Sequence, residues 1–222
     1  MKMNKELNKE LLKYLEDNII PKYTEFDSAH NISHVKSVIK YSLLLGKKLD
    51  LDLNICLTIA AYHDIEFYKN LNKKHPMDTY SKKYVLQDKN VSKWFSDREI
   101  RLIANSCKEH RASGNKIYSS TYSKVVSDAD KLGSLDINSM ISRSIKYTLS
   151  KYNNSISKDK LYNNVHSHLI SKYGKGGYAK LNLSISKDLV KDTLINTKTA
   201  LENEPLFKKY FNEIYNKEVN KL

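Results

Sequence analysis

Apolar residues recur along this chain at the spacing of a helix surface. Leu7, Leu11, Leu15 and Ile19 stand four apart, which predicts an amphipathic helix over residues 4–19 that stops before Pro21. Ile32, Val35, Val38, Ile39, Leu43 and Leu45 predict a second helix from Asn31 to about Lys48, with Gly46 near its end. A third runs from about Leu53 to Ile65, and a loop containing His75-Pro76 follows over residues 66–77. Helices are expected at Asp78–Leu86, with Asp78 as N-cap, and at Asp97–Glu109, with Ser96 as N-cap. Ser113-Gly114-Asn115 marks a loop, and a helix resumes near Tyr122. Residues 150–160 are polar, Leu161–Tyr173 return to a helical pattern, and Gly174, Gly176 and Gly177 break it as a flexible connector. The remainder, from Asp188, divides into two amphipathic helices around Glu204-Pro205.

Composition agrees with a mostly helical chain. Only 6 Gly and 3 Pro occur in 222 residues, too few for the closely spaced turns of a sandwich or barrel. The length suits one medium domain, and 40% hydrophobic with 28% charged residues excludes a wholly disordered or fibrous chain. An all-α single domain over residues 1–222 is expected, without internal repeats. The net charge of +13 would attract nucleic acid or phosphorylated ligands. The lysines are spread along the whole chain, however, so general composition explains the excess better than a dedicated nucleic-acid surface. Cys56 and Cys107 sit in apolar helical patterns and read as buried thiols. The N-terminus mixes acids and bases, unlike a signal peptide, and no run approaches the ~20 apolar residues of a membrane span. A cytoplasmic location follows as the default expectation.

Candidate chemistry lies where polar residues interrupt the apolar faces. His63-Asp64 ends the apolar stretch ICLTIAAY, where a buried carboxylate is costly unless a cation offsets it; an adjacent His and Asp at a helix end can equally be capping residues. His34 can point inward from the second helix, and His110 continues the stripe Ile103, Cys107. Asp128 follows Val125 by three within VVSDADKLGSL, where two acids break an apolar run. Four helices each bringing a His or Asp inward would build a metal site inside a bundle, with donors suited to Mn, Fe, Mg, Ni or Zn. Asp27 and His30 are equally candidates for orienting His34 or for capping its helix. Glu66 is a conceivable general acid, and an exposed loop carboxylate is the simpler account of it. His166 and His168 are two apart and cannot share a helix face, so at least one is expected at the surface. The sixteen tyrosines are scattered, and Trp94-Phe95 reads as core packing.

The ordered blocks FDSAHNISHVKSVI, IAAYHDIEF, HPMDTYSKKYVL, ANSCKEHRASG and VVSDADKLGSLDINSMISRSI resemble the HD-domain superfamily of metal-dependent phosphohydrolases, most closely its stand-alone bacterial members. The resemblance covers about residues 26–145, and a helical extension over about 160–222 follows it only loosely. It implies a helical HD-domain bundle in which His34, His63, Asp64 and Asp128 hold one divalent metal, with His75 and His110 in place for a second. Lys131 resembles the basic residue that holds phosphate, Arg143 the arginine that closes the last block, and His110 a ligand or phosphate contact. Lys36 stands where the family usually has arginine, supplying charge without a bidentate fork. SLDINSMIS is bulkier than the family's Gly-rich stretch. The Glu-Asp pair of guanosine tetraphosphate hydrolases is absent, which argues against that substrate.

The implied activity is hydrolysis of a phosphate ester or anhydride in a nucleotide or similar small metabolite, by water activated on the metal, with Asp64, Lys131 and His110 as catalytic residues. A phosphodiesterase or nuclease acting on oligonucleotides is the alternative that the charge favours. A non-catalytic nucleotide-sensing protein is the third.

Overall fold

The computed structural model describes residues 6–25, 31–65, 78–111 and 117–219, and among these it contains helices and no strand. The helices are α1 (Lys9–Asn18), α2 (Ile32–Lys48), α3 (Leu53–Tyr62), α4 (Asp78–Gln87), α5 (Asp97–Glu109), α6 (Thr121–Leu132), α7 (Ile137–Lys151), α8 (Lys158–Tyr173), α9 (Ser184–Leu189), α10 (Lys191–Glu202) and α11 (Glu204–Val219). The all-α expectation is met. No described helix is long and apolar enough to cross a membrane.

The chain divides into two compact units, one of residues 1–133 with 181–186 and one of 134–180 with 187–222. In the first, α3 is apolar on every side and runs through the middle, with α1, α2, α5 and α6 packed around it. Its few polar groups are satisfied locally. The Asn54 amide donates to the Glu6 carbonyl and accepts from the Asn8 N–H, and Thr58 Oγ1 donates to the Asn54 carbonyl. Two glycines let α2 approach its neighbours. A Cβ on Gly46 would lie 2.7 Å from Cys56 Sγ of α3, and one on Gly133, just past α6, would lie 2.1 Å from Ser37 Oγ of α2. Cys56 and Cys107 are free and buried, and burial pushes the Cys56 thiol up to about 12.

Caps set several boundaries. The Asn8 side chain accepts from the N–H groups of Glu10 and Leu11, so α1 starts at Lys9 and not at residue 4. Past Ile19 the chain continues into a 3-10 turn over Ile20–Glu25 that the pattern does not predict. Ser96 precedes α5 as expected, with its N–H and hydroxyl both donating to Glu99.

In the second unit α7 packs against α8 and α11, and α10 against α8 and α11. Phe207 and Phe211 of α11 are buried there with Leu161, Val165, Leu169 and Leu201. His166 lies against the Phe207 ring at 4.3 Å between centroids, while His168 is exposed. The glycine stretch after α8 is a hydrogen-bonded turn instead of an open connector. The N–H groups of Gly174 and Ala179 donate at 2.9 Å to the carbonyls of Ile170 and Lys172, satisfying groups that the end of a helix leaves unpaired.

Candidate metal centre

Four helix ends in the first unit meet at one place. Asn31 caps α2 by accepting from the His34 N–H, which fixes His34 in the opening turn. His63 and His110 are the C-cap residues of α3 and α5, and Asp130 lies in the last turn of α6. Both C-cap histidines use the same local device. Each Nδ1–H donates to the carbonyl three residues back, His63 to Ala60 at 2.7 Å and His110 to Cys107 at 2.6 Å. This satisfies a carbonyl at the helix end and leaves Nε2 as the nitrogen facing the cluster. The turn through His63-Asp64 is braced as well: Tyr23 OH donates to the Ala61 carbonyl and accepts from the Asp64 N–H, and Ser81 Oγ donates to the His63 carbonyl.

His34 Nε2 lies 3.2 Å from His63 Nε2 and 3.2 Å from Asp130 Oδ1. Asp64 Oδ2 is 3.4 Å from His63 Nε2 and 3.8 Å from His34 Nε2, while its Oδ1 is 3.3 Å from His110 Nε2 and 3.4 Å from Arg111 Nη2. One donor atom from each of His34, His63 and Asp130 falls within 4.8 Å of the others, a spacing that could hold a metal ion. Two ligands about 2.1 Å from one ion at roughly a right angle are about 3 Å apart, close to the distances found. The lone pairs point the same way. With Nδ1–H committed to Ala60, His63 Nε2 faces His34 Nε2 and a carboxylate oxygen, an arrangement that needs a proton or a cation between them.

The titration behaviour has the same cause. Burial opposes charge on His63, but the neighbouring Asp64 carboxylate outweighs it and raises the imidazole pKa. Burial also opposes charge on Asp64, yet His63 and His110 together hold it well below the usual carboxylate range. Asp130 is held low against burial chiefly by His34.

The structure therefore brings His34, His63, Asp64 and His110 together, as the sequence suggests, but places Asp130 and not Asp128 beside the two histidines. Asp128 is fully buried, and its carboxylate accepts from Asn182 N–H and Nδ2 at 2.8 and 2.7 Å and from Leu183 N–H at 2.9 Å. Asp128, expected as a ligand, thus lies apart from the two histidines and ties the 181–186 segment to α6. Lys131 is buried too, and its Nζ donates to the carbonyl and, at 2.8 Å, the hydroxyl of Ser127. Lys36 is exposed, two positions past His34 and so on nearly the opposite side of α2. Arg143 belongs to the second unit, where it donates to Ser134 Oγ at 2.7 Å. Asp27, His30, Glu66 and His75 lie outside the described residues. Two residues of the cluster, Asp130 and Arg111, are not among the sequence candidates. What separates Asp130 from Asp128 is helix packing. Val126, Asp130 and Gly133 share one face of α6, and Gly133 is the residue that meets Ser37, one turn beyond His34 on α2.

Residues 31–135 match the family described as HD domain. A crystal structure from Lactobacillus plantarum, solved as a structural-genomics target, shares the fold with a TM-score of 0.64 at 16% identity, over 94% of this chain and 100% of that one. A predicted HD superfamily hydrolase from an uncultured Thermotogales bacterium aligns with a TM-score of 0.48 at 15% identity, over 85% of this chain and 91% of that one. No curated protein matches the chain significantly.

Proposed function

We propose, from the match of residues 31–135 to the HD domain, that the protein is a metal-dependent phosphohydrolase acting on a nucleotide or another small phosphorylated metabolite. The observation that carries the proposal is the convergence of His34 Nε2, His63 Nε2 and Asp130 Oδ1, with Asp64 Oδ2 against the two imidazoles. These four residues would hold one divalent ion. Such an ion supplies Lewis acidity toward a phosphoryl oxygen and makes bound water acidic enough to ionise near neutral pH. The chain's own contribution is rigidity. His63 and His110 are locked by their Nδ1–H bonds to the backbone, and Asp64 Oδ1 is held between His110 and Arg111.

The test is purification, quantification of bound metal, and measurement of phosphate or pyrophosphate release from nucleoside mono-, di- and triphosphates with added Mn²⁺. Asp130→Ala should lose both metal and turnover. A fully metal-loaded protein that cleaves no phosphate ester would overturn the enzymatic reading. Turnover confined to oligonucleotides would replace it with the phosphodiesterase reading.

A further inference from the structure

Within the first unit, two sequence candidates for holding phosphate are engaged or face away: Lys131 is buried against Ser127, and Lys36 stands on the far side of α2 from His34. We propose that Arg111 binds the phosphoryl oxygens of the substrate, an inference that rests on the phosphohydrolase reading above.

Among the described residues, Arg111 is the lysine or arginine that pairs with a carboxylate of the cluster, its Nη2 lying 3.4 Å from Asp64 Oδ1. That contact is longer than the 2.7–2.9 Å typical of a tight charge-assisted hydrogen bond. A guanidinium presents several donors in one plane, so one edge can face a carboxylate while another meets a phosphate. Exposure indicates the direction of approach. The side chains of His63, His110, Asp64 and His34 are 0%, 2%, 5% and 7% exposed, whereas Arg111 and Asp130 are 24% and 27% exposed. A ligand from solvent therefore meets the cluster at Arg111 and Asp130, and of these only Arg111 attracts an anion. Charge balance favours such a residue. The two charges of a divalent ion would be offset by Asp64 and Asp130, so a further cation would strengthen the attraction for a phosphoryl dianion. Arg111 follows directly on His110, whose ring is bonded to the Cys107 carbonyl, so its backbone leaves α5 from an anchored point.

The experiment compares wild type, Arg111→Ala and Arg111→Lys as Mn²⁺-loaded proteins. It measures metal stoichiometry, calorimetric binding of inorganic phosphate, and kcat and KM for the best phosphate ester. Arg111→Ala should bind metal at wild-type stoichiometry, weaken phosphate binding by about 10–100-fold and raise KM in step, the size expected for a lost charged hydrogen bond. Arg111→Lys should restore part of this, because it returns the charge without the fork. A fall in kcat with unchanged phosphate affinity would overturn the proposal and make Arg111 a positioning residue for Asp64. Loss of metal from Arg111→Ala, or absence of phosphate binding to the loaded wild type, would overturn it as well. The calorimetric arm does not depend on turnover, so a protein that binds phosphate through Arg111 but hydrolyses nothing would defeat only the phosphohydrolase reading.

Discussion

Asp128 and Asp130 are two residues apart on one helix and have different work. Asp128 accepts three hydrogen bonds from Asn182 and Leu183 with no exposure to solvent, whereas Asp130 is partly exposed and faces His34. Asp128→Ala should therefore cost about 3 kcal/mol of stability by leaving buried donors unpaired. Asp130→Ala should cost the metal-free protein less stability than Asp128→Ala and abolish metal binding. Thermal melts combined with metal analysis check both, and equal effects of the two changes would contradict the division of labour. The titrating groups give a second prediction. His63 has a folded pKa raised above 6.5, so its contribution to stability is present below that value and is lost as pH rises through the folded pKa. Asp64 and Asp130 are depressed, so theirs is present above 3.8 and is lost only as pH falls through the folded values. The metal-free protein should thus lose stability as pH climbs past the raised His63 value. Mn²⁺ should raise the melting temperature more at pH 8.5 than at pH 6, where protons compete for the same nitrogens. A metal-induced shift that is equal at both pH values would count against His63 as a ligand.

Among the elements, the contact between α2 and α6 decides whether Asp130 reaches His34. Gly133 and Ser37 meet one turn beyond those two residues, and a Cβ on Gly133 would lie 3.0 Å from the Ser37 Cβ as well as 2.1 Å from its Oγ. Gly133→Ala should cost about 1–2 kcal/mol through overpacking and also weaken metal affinity, since separating the helices moves Asp130 away from His34. Ser37→Ala in the same chain should recover part of both losses, because it removes the closer of the two contacts. A stability loss with unchanged metal affinity would show that the helices absorb the methyl group elsewhere. The helices themselves follow from local signals in the sequence. Ser96 opens α5, and Pro205 enters α11 in its first turn, where proline fits. The 3-10 turn at Ile20–Glu25 and the turn after α8 were not legible in this way. The first buries Tyr23, whose hydroxyl bonds to Ala61, and the second is held by carbonyls of α8, so both depend on contacts that periodicity does not encode.

At the scale of the molecule, residues 181–186 belong with the first unit although some fifty residues of chain separate them from α6. Asn182 and Leu183 supply the donors for buried Asp128, so the segment matched to the HD domain does not contain all that its own interior requires. A chain ending after Leu135 should melt well below the full chain. An unchanged transition in circular dichroism would show that Asp128 finds other partners. The net charge of +13 enters the proposed function only locally, because the inferred phosphate contact rests on one arginine and not on a basic face. Hydrolysis of a mononucleotide should accordingly resist competition by single-stranded DNA at physiological salt, where a nuclease groove would be inhibited.

The sequence by itself determined the helical class and most helix positions, and it made His34, His63, Asp64 and His110 candidates for inward placement. Each of these follows from periodicity and from where an apolar stripe meets a polar group. Only the tertiary structure decided between Asp128 and Asp130 and revealed Arg111. Two acids two positions apart point to opposite sides of α6, and which side faces a histidine depends on where α2 lies. Arg111 lies beyond the last periodic position of α5, and its tie to Asp64 spans 47 residues of sequence. Periodicity reports which face of a helix is buried, while the partner that buries it is a property of the packed chain.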